Sequence, residues 1–228
     1  MIADLAYEAS VWVVPVLIAI TFHEAAHGYV AWKLGDDTAY RMRRVSFNPF
    51  RHIDSFGTVL LPALLLFLSG GRIMFGYAKP VPVNFGRLNS PRRDMILVAL
   101  AGPAANLALA VISAVLFHFL LLFPHDVSMW LAETLRRSLL LNLVLAVFNM
   151  LPLPPLDGGR IAVGLLPRAL ALQFARLERY GMLILILLLF ILPTLGGQFG
   201  MGVNLFDVVI WPPVELLYSL IIVLTGHV

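Results

Sequence analysis

The chain has no cysteine among its 228 residues. Disulfides and thiolate metal ligands are therefore excluded, and the redox compartment is left unreadable. Any metal must be held by His, Asp or Glu. Charge is also scarce: 13% of residues are Asp, Glu, Lys or Arg, against about 25% in an ordinary soluble domain. With 60% hydrophobic residues and a mean hydropathy of +0.90, too little polar side chain exists to cover a water-facing surface. A water-soluble globule is excluded. The first apolar run is preceded by Asp4 and Glu8 and by no Lys or Arg. It lacks the basic leader of a cleavable signal and is expected to stay in the protein.

What the sequence does contain is long uncharged runs. A helix needs about 20 apolar residues to cross the hydrocarbon core. Met95–Phe123 spans 29 residues without a formal charge, and Ala9–Trp32 carries only Glu24. Ser138–Leu151, Tyr180–Leu195 and Leu205–Leu224 are weaker candidates. Together they predict an all-α polytopic membrane protein with about five to six transmembrane helices. A single membrane-embedded domain covers residues 1–228, with a core over about 9–170 and additional helices over 180–225.

Ten of the sixteen Lys and Arg residues lie between Lys33 and Arg93. Such a cluster marks a cytoplasmic loop by the positive-inside rule, with anionic lipid headgroups rather than nucleic acid as its neighbours. The first span then ends in the cytoplasm. The second, Arg92–Phe123, runs outward to a short amphipathic connection, His125–Arg137, and Ser138–Leu151 returns inward. Phe56–Leu68 is short, contains Pro62 and has basic flanks, so it reads as re-entrant, with a tilted short span as the alternative. Ile73–Phe85, interrupted by Pro80 and Pro82, reads as a strand-like edge, giving a β-hairpin-like insertion between the first two core helices.

Within the first span stands His23-Glu24-Ala25-Ala26-His27. Histidines at i and i+4 share a helix face, so both imidazoles reach one Zn²⁺, and the neighbouring Glu24 can take a proton from water there. Three ionisable residues inside a membrane span are costly unless they have a function. A catalytic site needs a third protein ligand at the depth of His27. His118 lies near the outer end of its span. His52, Asp54 and Asp94 lie in or beside the basic loop, and Asp207 and Glu215 fall in an ill-defined last segment. Asp157 is the better candidate. It follows the inward run in Leu151-Pro152-Leu153-Pro154-Pro155-Leu156-Asp157-Gly158-Gly159, where prolines break the helix and glycines allow close backbone approach. Asn106 and Asn149 are amides in the membrane interior. They either hold a substrate backbone and a developing oxyanion or make helix–helix hydrogen bonds. His52 and Asp54 either guard an entrance or sit in a solvated loop, the latter fitting better.

His-Glu-Ala-Ala-His at 23–27, Gly102-Pro103-Ala104-Ala105-Asn106, and Asn149-Met150-Leu151-Pro152 leading into Leu156-Asp157-Gly158-Gly159 occur in the order seen in the site-2 proteases. The chain resembles that family over about residues 10–170. The resemblance implies one zinc per chain held by His23, His27 and Asp157, Glu24 as catalytic acid/base, and transmembrane proteins as substrates. It also implies that Asn149 lies where substrate meets the metal. Several relatives carry a PDZ or CBS domain, and this chain has no room for either. The function expected is an intramembrane zinc endopeptidase of a cell membrane, opening toward the cytoplasm and capturing unwound substrate along Ile73–Phe85. A membrane zinc transporter and a non-catalytic membrane-protein scaffold are the alternatives.

Overall fold

The computed structural model describes residues 2–68, 76–191 and 206–227. Its centre is three helices: α1 (Ile2–Lys33), α4 (Pro91–Leu116) and α5 (His125–Asn149). Contacts between His23 and Asn106 and between His27 and Val98 run in opposite chain directions, so α1 and α4 are antiparallel. Asn106 to Asn142 and Ser113 to Ser138 make α4 and α5 antiparallel as well. Pro15 and Pro103 lie inside α1 and α4. Each removes a backbone donor, which membrane helices tolerate where neighbouring helices re-satisfy the freed groups.

Short elements fill the connections: α2 (Thr38–Arg41), α3 (Leu61–Leu68), α6 (Asp157–Leu165), α7 (Arg168–Ala175), α8 (Glu178–Ile186) and α9 (Trp211–Leu224). The last packs on the bundle through Val214 and Ile221, joined by Ile210 just before it, which meet Ala110 and Ala114 of α4 and Leu139 and Leu143 of α5. Small residues on α4 let the helix axes approach closely, the usual solution where lipid supplies no hydrophobic drive between helices.

Three stretches are long and apolar enough to cross a membrane among the described residues: Ala6–Lys33, Pro91–Leu122 and Phe206–Leu224. This is fewer than the five to six expected. The outer connection expected at His125–Arg137 is instead the first half of α5, because nothing between His125 and Asn149 is Pro or Gly and most residues are good helix formers. Asp126, Glu133, Arg136 and Arg137 in that half keep α5 below the apolarity of a span. The Tyr180–Leu195 run begins in α8 and continues through a π-turn, Leu187–Ile191; residues 192–195 lie outside the described residues, as does Leu205.

Phe56–Leu68 is helical, a π-turn over Ser55–Leu60 leading into α3. The 14 residues of turn and helix together reach at most about 21 Å, short of the roughly 30 Å hydrocarbon core. Residues 73–75 lie outside the described residues, and 76–84 is extended but joins no sheet; no strand occurs among the described residues. Its hydrogen bonds go to scattered partners instead: Tyr77 N–H to the Gly57 carbonyl at 2.9 Å, Lys79 N–H to the His52 carbonyl at 2.9 Å, and Asn84 N–H to Asp36 at 2.6 Å. Asp36 is fully buried and also accepts from the Thr38 hydroxyl at 2.5 Å.

After α5 the chain turns through Met150–Leu156 and re-enters as α6. The Pro154–Pro155 peptide is cis. Two helices clasp this turn through glycines. A Cβ on Gly158 would lie 2.2 Å from the Met150 carbonyl oxygen, and one on Gly181 of α8 would lie 2.1 Å from that of Pro154. Arg92, at the start of α4, donates to the carbonyls of Gly164 (2.7 Å) and Leu166, tying the end of α6 to the bundle. Because backbone cannot yield cheaply, Gly181→Ala is expected to destabilise the fold by about 1–3 kcal/mol. Thermal unfolding in detergent tests this; an unchanged Tm would show that α8 shifts freely.

Candidate metal centre and its cavity

The turn and the three-helix centre meet at one point. Asp157, in the first turn of α6, lies against the face of α1 that carries His23 and His27. Asp157 Oδ2 is 3.2 Å from His23 Nε2 and 3.3 Å from His27 Nε2, and the two Nε2 atoms are 3.0 Å apart. All three residues are buried, and they form the one candidate metal-binding group among the described residues.

The far sides of the rings fix their tautomers. His27 Nδ1 lies 2.7 Å from the Val98 carbonyl, which can only accept, so Nδ1 carries the hydrogen. His23 Nδ1 lies 2.5 Å from Asn106 Oδ1. The orientation of that amide follows from its other contacts. Asn106 Nδ2 donates to Asn142 Oδ1 at 2.8 Å and faces the Ala19 carbonyl at 3.4 Å, while Asn142 Nδ2 donates to the Ser138 carbonyl at 2.8 Å. One backbone carbonyl thus sets the direction of a chain of hydrogen bonds across α5, α4 and α1, ending on His23.

With neutral rings, both Nε2 atoms present lone pairs. Three acceptors then converge with no proton between them, and Asp157 Oδ2 has no hydrogen-bond partner. Mutual repulsion makes this arrangement unfavourable unless a cation sits among them. Ligand bonds of about 2.0–2.1 Å in a tetrahedron require ligand atoms about 3.3 Å apart. The observed 3.0–3.3 Å triangle fits one face of such a polyhedron. The space is kept open by Gly102 of α4, where a Cβ would fall 2.4 Å from His27 Nε2 and 2.6 Å from His23 Nε2. The other Asp157 oxygen faces the Arg160 guanidinium at 3.8 Å.

Glu24 and Asn149 border a cavity of about 210 Å³ with His23, Tyr77, Ala78 and Leu156. Glu24 Oε2 accepts the Val81 N–H at 2.7 Å. Asn149 donates to the Leu145 carbonyl at 2.9 Å, within its own helix. A larger apolar groove of about 610 Å³ between Leu100, Ala146 and Leu217 carries no titratable residue, so it offers no acid–base chemistry.

Of the sequence candidates, His23, His27, Asp157 and Glu24 come together. Asn106 is fully buried and spends its amide on His23 and Asn142, a helix–helix role that also orients a candidate ligand. His52 is buried rather than solvated, with Nε2 on the Ser46 carbonyl at 2.8 Å. Asp54 caps the next helical turn through the N–H groups of Phe56 and Gly57. Asp94 accepts the Ser90 N–H at the start of α4, and His118 binds the Thr225 carbonyl beyond the other end of α4. The sequence reading missed Asn142, and Gly102 as the residue that spares the ligand space. An amide midway along the apolar run after Ser138 was the available signal for Asn142.

Two substitutions test this geometry. Gly102→Ala places a methyl group on the ligand nitrogens, so the purified protein should hold well under one zinc per chain; full occupancy would mean α4 can move away. Asn142→Leu unfixes the amide chain and should weaken zinc affinity about 10–100-fold, read by competition with a chelator. Equal affinity would make that chain a packing feature only.

Comparison with known proteins points to zinc metalloproteases. The family model for peptidase family M50 matches residues 11–137 and 125–192. "Putative zinc metalloprotease YwhC" of Bacillus subtilis is 41% identical over 189 residues, covering 79% of this chain and 80% of that protein. "Putative zinc metalloprotease Rip2" of Mycobacterium tuberculosis is 34% identical over 201 residues, covering 86% and 70% respectively. "Putative zinc metalloprotease MJ0611" of Methanocaldococcus jannaschii is 43% identical over a shorter 65 residues, covering 28% of this chain and 31% of that protein. No solved structure matches at a significant level. These matches, which take in the two buried imidazoles of the membrane-length helix α1 and the carboxylate at the start of α6, place the chain in peptidase family M50, the site-2 protease family of zinc metalloendopeptidases.

Proposed function

We propose that this peptidase cuts within or beside the transmembrane segments of other membrane proteins, with His23, His27 and Asp157 holding zinc and Glu24 as acid/base. The observation that carries the reading is the place of the site along α1, a helix long and apolar enough to cross a membrane. His23 lies ten residues before Lys33, the end of α1, which is about 15 Å along the helix and half the thickness of the hydrocarbon core. A peptidase centre at that depth meets peptide bonds that are themselves in the membrane.

Bound zinc supplies a Lewis acid that polarises the scissile carbonyl and acidifies water. The chain's own groups do the rest. Glu24 keeps one carboxylate oxygen on the Val81 N–H and has the other to take the proton of the attacking water and pass it to the leaving amine. Asn106 holds His23 in the orientation that turns Nε2 toward Asp157. Asn149 stands at the cavity edge, where an amide donor can meet a developing oxyanion. The extended main chain of Gly76–Ala78 borders the same cavity, so an unwound substrate segment lies along it. Tyr77, Lys79 and Val81 belong to the basic stretch between Lys33 and Arg93, and this supports an opening toward the cytoplasmic side.

Cleavage of a single-span reporter in proteoliposomes tests the reading. The parent should cut it, and Glu24→Gln should lower the rate by about 10²–10⁴-fold while still holding one zinc per chain. Equal rates for the two would remove Glu24 as acid/base.

A further inference from the structure

The Glu24 carboxylate is not free to swing in its cavity, and what restrains it is main chain. Tyr77, Lys79 and Val81 point their N–H groups toward the body of the protein, to Gly57, His52 and Glu24 in turn. The carbonyls of Tyr77 and Lys79 face the same way, accepting from the Thr58 hydroxyl at 2.9 Å and from Arg44 at 2.7 Å. This is the two-residue alternation of a strand, with side chains and isolated carbonyls replacing a partner strand. Pro80 stands between two of the bonded residues and Pro82 follows the last; neither carries an N–H, so no donor competes there, and Pro82 keeps Val81 out of the helical region. Val81 itself is buried on α1. A Cβ at Gly28, one turn beyond Glu24, would lie 3.1 Å from Val81 Cγ1. Gly28 therefore lets the segment come close enough for its amide to reach the carboxylate.

We propose that the Val81 main-chain N–H is a positioning group for Glu24, holding Oε2 so that the second oxygen faces the cavity, with Arg44 bracing the segment from behind. The proposal rests on Glu24 being the acid/base. Its consequence is that cavity wall and base are one piece: the segment lining the cavity at Gly76–Ala78 carries the group that orients Glu24 a few residues on. Misplacement of a catalytic group by about 1 Å can cost on the order of 10²-fold in rate.

The test is an amide-to-ester exchange at Val81, made in the full chain by incorporating the hydroxy acid with the valine side chain. It deletes the N–H and weakens the Pro80 carbonyl as an acceptor, a group that meets Arg44 only at 3.4 Å. In proteoliposomes with the reporter, kcat should fall between about ten- and hundredfold, the value of a hydrogen bond to a charged group, with KM within about twofold and one zinc per chain. The same exchange at Lys79 removes an equivalent bond that does not touch Glu24, and should lower kcat less than about threefold. Parent-like kcat for the Val81 ester, or equal losses at both positions, overturns the proposal. So does a change confined to KM. A second readout needs neither zinc nor turnover: amide exchange at Val81 in the metal-free protein should quicken at least about tenfold in Glu24→Ala but not in Glu24→Gln, which keeps an acceptor oxygen. Unchanged exchange in Glu24→Ala also overturns it. Should the parent fail to cut any membrane reporter, the intramembrane reading fails, and the exchange comparison still decides the Val81 contact.

Discussion

Two imidazole Nε2 atoms and a carboxylate oxygen turned toward one another, all three acceptors when the rings are neutral, are the constraint around which the protein is built. Two imidazole lone pairs and a carboxylate oxygen at 3.0–3.3 Å cost free energy in any medium, and far more where lipid and protein exclude water. Much of the surrounding structure either holds them there or keeps other atoms out. Gly102 has no side chain because any Cβ would land on them. The Val98 carbonyl and the Asn106 amide use up the ring hydrogens that could otherwise relieve the repulsion. The array is unfavourable without a cation, and this is how a site gains affinity for one.

Holding Asp157 in place takes a different device from holding the histidines. The histidines share a regular helix, and spacing alone aligns them. Asp157 must arrive from a chain that has just left α5 and reversed, at a depth where loose backbone is expensive. The reversal is made rigid by packing it against glycines of α6 and α8, where backbone meets backbone without side chains between. The carboxylate then stands in the first turn of α6, where the helix dipole favours a negative charge, with Arg160 on its second oxygen.

The sequence was most legible where local geometry decides the outcome. His23 and His27 follow from four-residue spacing, and Asp157 from a proline-rich break followed by glycines. It was least legible where one group is defined by partners from several parts of the chain. Asn142 is one of two amides in an apolar run, and its importance depends on a chain of bonds through Asn106 to His23 that only packing reveals. The segment at 76–84 has a strand's alternation, but its partners are residues 24, 36, 44, 52, 57 and 58, so no pattern of strand pairing could have been read. Nor could His125–Arg137 be separated from α5 or joined to it by charge alone; the absence of a helix breaker was the better signal.

The basic stretch after α1 has a role beyond setting topology. Charge counting treats it as a solvated loop, yet Asp36, Arg44 and His52 in it are all nearly inaccessible. Burying such groups is tolerable only when hydrogen bonds replace the lost water. Here those bonds converge on one object: Asp36 takes the Asn84 N–H, Arg44 the Lys79 carbonyl, and the His52 carbonyl the Lys79 N–H. The loop is thus a frame for a single extended segment that could not stand as an isolated strand. Because that segment borders the cavity at Ala78 and reaches Glu24 through Val81, residues that look like topology signals contribute to the placement of the Glu24 carboxylate.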